Sequence, residues 1–155
     1  MLNILLLCTG NSTRSILGEA IFNRDGAGRV RAFSAGSNPL GMVHPGTLRL
    51  LASKGMATRG YRSKSWQEFT GGGSDPMDLI ITLCPNVAEE HHPVWPGAPL
   101  RWHWQVDEPT AIVSGDRDLP FQLTYHQLSS RINGFLILPF EDMTRPDLKD
   151  WLEGG

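Results

Sequence analysis

Leu2-Asn3-Ile4-Leu5-Leu6-Leu7 is a short, nearly unbroken apolar run, the pattern of a strand buried on both faces. A polar, glycine-containing turn follows from Cys8 to Thr13. Ile16, Leu17, Ala20 and Ile21 then recur at helical spacing, and turn residues at Asn23 to Gly28 end that helix. Val30 to Ala35 predicts a second strand, closed by Ser34-Ala35-Gly36-Ser37. His44-Pro45 predicts a helix with proline in its first turn, an apolar stripe of Leu48, Leu51 and Ala52, and a stop at Gly55 after Lys54. Ser65 to Phe69 predicts a short helix. Thr70 to Pro76, with three consecutive glycines, predicts a flexible surface loop. Leu79 to Leu83 predicts a third buried strand with Cys84 at its carboxyl end, and Pro99 to Trp104 a fourth. Phe121 to Leu138 predicts a helix that turns Leu123, Leu128, Ile132 and Phe135 inward. Thr144 to Glu153 predicts a terminal helix, capped by Thr144 or Asp142.

Strands alternating with helices predict an α/β fold, three layers α/β/α around a four-stranded parallel sheet. Residues 1–155 show no internal repeat and no linker, so the expectation is a single domain. Ligands of such sheets bind beyond the carboxyl ends of the strands. Cys8 ends the first strand and Cys84 the third. The right-handed crossover rule favours these strands as neighbours, which would put both sulfurs on one rim.

Composition narrows the function. The formal charge is −2 with mixed signs, which gives no broad basic surface for nucleic acid. An anion must then be held by a local device. Two cysteines are too few for a disulfide framework, so packing, metal binding or redox chemistry are their candidate roles. The apolar start before Cys8 lacks a basic n-region and is too short for a leader, and no run reaches the length of a membrane span. The expected compartment is the cytoplasm, with both thiols reduced and no membrane partner.

The local device is the loop Cys8-Thr9-Gly10-Asn11-Ser12-Thr13-Arg14-Ser15, which joins a strand to a helix. Backbone N–H groups at a helix N-terminus lack partners and point at whatever occupies the loop. Gly10 permits backbone conformations that other residues resist. The Arg14 guanidinium can hold two oxygens of a tetrahedral anion at once. The same positive surroundings favour a thiolate nucleophile at Cys8, and the Ser15 hydroxyl can donate to that sulfur. Thr9, Gly10, Asn11, Ser12, Thr13 and Arg14 are thus the candidate oxyanion-binding residues. The plainer alternative makes Cys8 a packed core thiol and Arg14 a surface helix residue. The strand–loop–helix context weighs against it.

With these residues in view, the chain resembles the low-molecular-weight tyrosine phosphatase fold family, and more closely its arsenate reductase branch. The resemblance rests on Cys8 to Ser15, Ser34-Ala35-Gly36-Ser37, His44-Pro45, Thr82-Leu83-Cys84, Pro93-Val94-Trp95-Pro96-Gly97 and His103-Trp104, and extends from Leu2 to about Phe140. It implies that the Cys8 thiolate attacks arsenate while Arg14 and the loop amides hold the oxygens, and that a carboxylic acid protonates the leaving oxygen. It implies next that Cys84 attacks the Cys8 sulfur, releasing arsenite and forming a Cys8–Cys84 disulfide that an external thiol reduces. Glutathione, mycothiol, glutaredoxin and thioredoxin are the candidate reductants, and no bound cofactor is implied.

The chain departs from the family pattern in three places. The third cysteine of thioredoxin-coupled members falls at His92, beside His91, so no disulfide can pass to a third sulfur within the chain. The acid is an aspartate before proline in the family. Here Asp107-Glu108-Pro109 puts Glu108 at that position with Asp107 next to it, and either can serve. Some members bind potassium near the loop through an asparagine, a glutamate, a serine and an aspartate. Asn11, Glu19 and Ser34 match the first three, and Lys64 falls at the fourth, where its ammonium can replace the ion.

Cys84 also has a bland reading as an inert core thiol. His91 and His92, with Cys84 several residues away, make a thin metal-ligand set and read as a solvated loop. Trp95, Trp102 and Trp104 read as packing under the long loop. Arsenate reduction leads. A phosphatase acting on tyrosine phosphate or small phosphoesters is the alternative, although Thr110-Ala111 stands where phosphatases of the family carry tyrosines. A non-catalytic oxyanion-binding protein is the third reading.

Overall fold

The computed structural model describes residues 1–109 and 115–154, so Thr110-Ala111 lies outside the described residues. Strand β1 (Leu2–Cys8) is central and buried from Ile4 onward. It pairs in parallel with β2 (Val30–Gly36) on one side and β3 (Leu79–Thr82) on the other, and β3 pairs in parallel with β4 (Leu100–His103). The order β2-β1-β3-β4 makes β1 and β3 neighbours, as the crossover rule favours. The register sets Leu7 opposite Thr82 and Cys8 opposite Gly36. The three-layer α/β/α expectation is met.

Helix α1 (Arg14–Asp25) buries Ile16, Leu17, Ala20 and Ile21, the four residues of the predicted stripe. It lies so close to β1 that a Cβ at Gly18 would meet the Leu6 side chain at 2.7 Å. Helix α2 (Pro45–Ser53) is capped by His44 and buries Leu50 and Leu51, while Leu48 is half-buried and Ala52 exposed. The stripe is therefore rotated from the predicted one, toward the side where α2 meets α4. Gly55 closes the turn after it with φ +70. Ser65 caps a single 3-10 turn, Trp66–Phe69.

Helix α3 (Pro85–Glu89) was not predicted: Cys84 sits at its N-cap rather than in an open loop. Helix α4 (Leu119–Leu136) buries Leu128, Ile132 and Phe135, but Leu123 is 49% exposed. Leu123 lines a wide surface groove instead of the core, which corrects the expected inward set. Helix α5 (Arg145–Gly154) starts with a reciprocal cap. The Asp147 N–H donates to Thr144 Oγ1 at 3.2 Å, and the Thr144 N–H donates to Asp147 Oδ2 at 3.3 Å.

The tryptophans are packed as expected, but in two groups, and Trp102 and Trp104 lie against helices rather than under the long loop. On the α4 side, Trp102 and Trp104 join Phe22, Phe135 and Trp151. Elsewhere Trp66, His92 and Trp95 pack together. No helix among the described residues is long and apolar enough to cross a membrane.

Candidate active site

The turn from β1 into α1 takes its shape from a second segment, residues 38–47. The N–H groups of Asn38, Leu40 and His44 donate to the carbonyls of Thr9, Gly10 and Ser12 at 2.9, 3.0 and 3.1 Å. The Thr47 hydroxyl, fully buried, lies 3.1 Å from both Ser12 O and Thr13 Oγ1. Ser63 Oγ donates to Gly10 O at 3.0 Å. With the carbonyls drawn outward, the N–H groups from Gly10 to Thr13 donate to no protein group among the described residues. Asn11 takes φ +46, a left-handed conformation in which its side chain reaches the neighbouring segments. Gly36 is needed beneath: a Cβ there would collide with the Thr9 carbonyl.

A chain of hydrogen bonds runs from this framework to the sulfur. The Lys64 N–H donates to Asn11 Oδ1 at 2.9 Å, and Asn11 Nδ2 donates to Ser15 Oγ at 2.7 Å. Ser15 Oγ lies 2.9 Å from Cys8 Sγ, and all three side chains are buried. An amide NH2 can only donate, so the Ser15 oxygen accepts from Asn11 and its own hydrogen is available to the sulfur. That polarity offers the Cys8 sulfur a hydrogen-bond donor from the base of the loop.

Cys8, Gly10, Asn11, Ser12, Thr13, Arg14, Leu40, His44 and Glu108 line a cavity of about 100 Å³. Its volume matches roughly three waters at about 30 Å³ each, the scale of a tetrahedral oxyanion. Arg14 spans one wall, donating to Val106 O at 3.1 Å and to Glu108 Oε2 at 2.8 Å. Its Nε is buried and has no hydrogen-bond partner among the described residues. Glu108 thus faces the loop. Asp107 does not: it lines the groove along α4, and its carbonyl lies 3.5 Å from Thr124 Oγ1. Of the two candidate acids, geometry brings only Glu108 to Cys8.

Cys84 is 4% exposed and lies on the same rim as Cys8, with its sulfur 3.4 Å from Thr9 Oγ1. The segment that follows corrects the solvated-loop expectation for His92. Only 9% of His92 is exposed; its Nε2 lies 2.7 Å from Val87 O, and its Nδ1 accepts from Trp95 Nε1 at 3.4 Å. An acceptor at Nδ1 fixes the proton on Nε2, so Nε2 donates to the carbonyl. Burial pushes His92 below its ordinary pKa, against the opposing pull of the Val87 carbonyl.

Beneath the loop, Ser34 Oγ donates to Glu19 Oε1 at 2.5 Å. Lys64 Nζ lies 3.8 Å from Glu19 Oε1 and 3.5 Å from Ser34 Oγ. Burial raises the Glu19 pKa, opposed by the Ser34 hydrogen bond and the Lys64 charge. Burial lowers that of Lys64, opposed by Glu19. The ammonium stands against Glu19 and Ser34, and the Asn11 side chain is engaged by the Lys64 N–H and Ser15, so these residues do not fit a potassium ion as well.

Sequence reasoning missed Leu40 and His44 as walls of the cavity, and Thr47 as a brace of the loop. His44-Pro45 marked the helix start but gave no sign that His44 lines the cavity that holds Cys8. Nothing in the pattern pointed to Thr47, whose role depends on a loop 34 residues away.

The fold and cavity define a parallel α/β protein in which a cysteine-headed strand-to-helix loop, with an arginine at its far end, opens at the carboxyl rim of the sheet. The chain belongs to the low molecular weight phosphotyrosine protein phosphatase family, whose model matches residues 3–146. It is 31% identical over 132 residues to an arsenate reductase of Brevibacillus brevis, covering 85% of this chain and 92% of that one. The crystal structure of arsenate reductase from Archaeoglobus fulgidus superposes with TM-score 0.67 at 24% identity, covering 87% of this chain and 99% of that one. The tyrosine phosphatase Wzb from Escherichia coli K30, in complex with sulphate, superposes with TM-score 0.67 at 19% identity, covering 86% and 95%. At these identities the two structures show a shared fold.

Proposed function

We propose that this chain is a thiol-dependent arsenate reductase. The observation that carries the reading is the second sulfur. Cys84 Sγ lies 3.4 Å from the hydroxyl of Thr9, the residue next to Cys8, on the rim where Cys8 opens. A phosphatase has no use for a thiol there. The curated relative from Brevibacillus brevis, named an arsenate reductase, supports the same choice.

In this reading arsenate enters the cavity and is held by the loop N–H groups and by Arg14, whose unpartnered Nε supplies a donor. The Cys8 thiolate attacks arsenic. The As–O bond to the leaving oxygen breaks, and Glu108 gives that oxygen a proton, so it departs as water. Cys84, as a thiolate, then attacks Cys8 Sγ. The S–S bond forms while the S–As bond breaks, and its electron pair stays on arsenic. As(V) becomes As(III) and leaves as arsenite, and the two cysteines carry the oxidation as a disulfide.

The chain holds two cysteines, so recycling needs an external thiol: glutathione, mycothiol, glutaredoxin or thioredoxin. In an alternative route a small thiol attacks the arsenic adduct on Cys8 and Cys84 is dispensable. The second reading of the whole protein is a phosphatase for tyrosine phosphate or small phosphoesters, supported by the shared fold of the sulphate-bound Wzb.

The test is a side-by-side assay of the purified protein. Arsenite release is measured with each thiol donor, together with hydrolysis of para-nitrophenyl phosphate. Arsenite release with at least one donor is the expected result. Phosphoester hydrolysis without arsenite release favours the phosphatase, and neither activity favours an oxyanion-binding protein.

A further inference from the structure

We infer that His44 is an oxyanion-binding residue, donating from Nε2 to an oxygen of the anion held over Cys8. This deepens the proposed function and rests on reading the Cys8 cavity as an oxyanion site. His44 stands at the N-cap of α2, and its Nδ1 accepts the Gly46 N–H at 2.9 Å. An imidazole nitrogen that accepts carries no hydrogen, so the proton of the neutral ring is on Nε2. The described residues offer no partner to that Nε2. His44 nonetheless lines the cavity that holds Cys8, Arg14 and Glu108.

The ring is also held in place. Its centroid lies 5.0 Å from that of Phe121 at an interplanar angle of 34°. Phe121 packs over Gly46 so closely that a Cβ there would meet the ring at 2.5 Å. On the backbone side, the His44 N–H donates to Ser12 O at 3.1 Å, tying the residue to the loop itself. The imidazole is therefore held at its Nδ1 edge by the cap and on its face by Phe121, and its Nε2 edge is left without a protein partner among the described residues. Arg14 supplies charge and Glu108 a carboxyl group. His44 adds a directional N–H donor beside them.

Two substitutions separate the two nitrogens. Asparagine reproduces an acceptor near Nδ1 and is among the best N-cap residues, but it has no group that reaches as far as Nε2. Glutamine places an amide donor near Nε2 and loses the cap. Calorimetric titration with inorganic phosphate and urea unfolding are run on wild type, H44N, H44Q and R14A. His44→Asn is expected to keep wild-type stability while binding phosphate about tenfold more weakly, the lower end for a hydrogen bond to a charged group. His44→Gln is expected to be less stable yet bind phosphate close to wild type. If H44N binds phosphate as tightly as wild type while R14A does not, His44 is a cap alone and the inference falls with the oxyanion site intact. If wild type itself binds no phosphate, the reading of the cavity falls and takes this inference with it. Should H44Q fail to fold, the H44N titration decides alone.

Discussion

The hydroxyl of Ser15 has one hydrogen, and with the Asn11 amide donating from its other side that hydrogen is available to the Cys8 sulfur, 2.9 Å away. Replacing Ser15 by alanine removes that donor from a buried sulfur. Hydrogen bonds to charged groups contribute about 1.5–3 kcal/mol. Alkylation of Cys8 by iodoacetamide at neutral pH should therefore slow by about tenfold or more in S15A, with the fold intact. An unchanged rate in S15A would remove Ser15 from the activation of the thiol.

The acid can be assigned by paired variants. Glu108 reaches the cavity and Asp107 the groove along α4. General-acid catalysis contributes about 10²–10⁴-fold. Glu108→Gln should cost at least about 10²-fold in kcat, and Asp107→Asn should stay within about threefold of wild type. The reverse pattern would return the role to Asp107.

The recycling route is open to a single-turnover experiment. Protein reacted with arsenate in the absence of added thiol should show, by mass spectrometry, a mass lower by two hydrogens and a Cys8–Cys84 linked peptide. If both thiols persist and C84S turns over fully with a small thiol donor, Cys84 is structural.

His92 makes a prediction about acid stability. Its pKa is lowered in the folded protein by burial, from an ordinary value of 6.5. The unfolded chain therefore takes up a proton before the native state does, and stability falls as pH drops through 6.5 toward the lowered folded value. Urea unfolding at pH 7.5 and 5.5 should show a smaller acid loss in H92Q than in wild type. Equal losses would mean that His92 does not carry the effect.

Lys64→Met leaves Glu19 buried without its cation. At neutral pH the expected cost is about 2 kcal/mol, below the usual 3–5 for a broken buried pair because the Ser34 hydrogen bond survives. Burial already raises the Glu19 pKa above the ordinary 4.5, and removing Lys64 raises it further. The native variant then holds a proton the unfolded chain has released, so its stability falls as pH rises above that ordinary value. Relative to wild type, K64M should lose more at pH 7.5 than at pH 5.5 in urea unfolding.

The sheet was legible because Leu2–Leu7 and Leu79–Leu83 are apolar on both faces, a pattern available to little else. The Cys8-to-Ser15 loop was legible for a similar reason: its chemistry and its strand–helix context are contiguous in the chain. Helix α3 was not, since five residues opened by Pro85 are too few to show a period. Leu123 misled because it is apolar yet off the helical phase of Leu128, Ile132 and Phe135, so it faces a surface groove. The burial of His92 depends on Trp66, and the reach of His44 on Phe121, contacts between segments far apart in sequence. Patterns within a window report what a segment is; they do not report what another segment brings to it.

The outward hold on the loop carbonyls has a bearing on transplantation. Thr9, Gly10 and Ser12 are shaped by donors from Asn38, Leu40 and His44, and Gly36 clears the space beneath them. An eight-residue graft of Cys8 to Ser15 onto another strand-to-helix junction would carry the nucleophile and the guanidinium but not the ring of free amides. The smallest portable unit is instead three discontinuous pieces, residues 8–15, 36–47 and 63–64, and a recipient scaffold must offer two adjacent parallel strands to receive them.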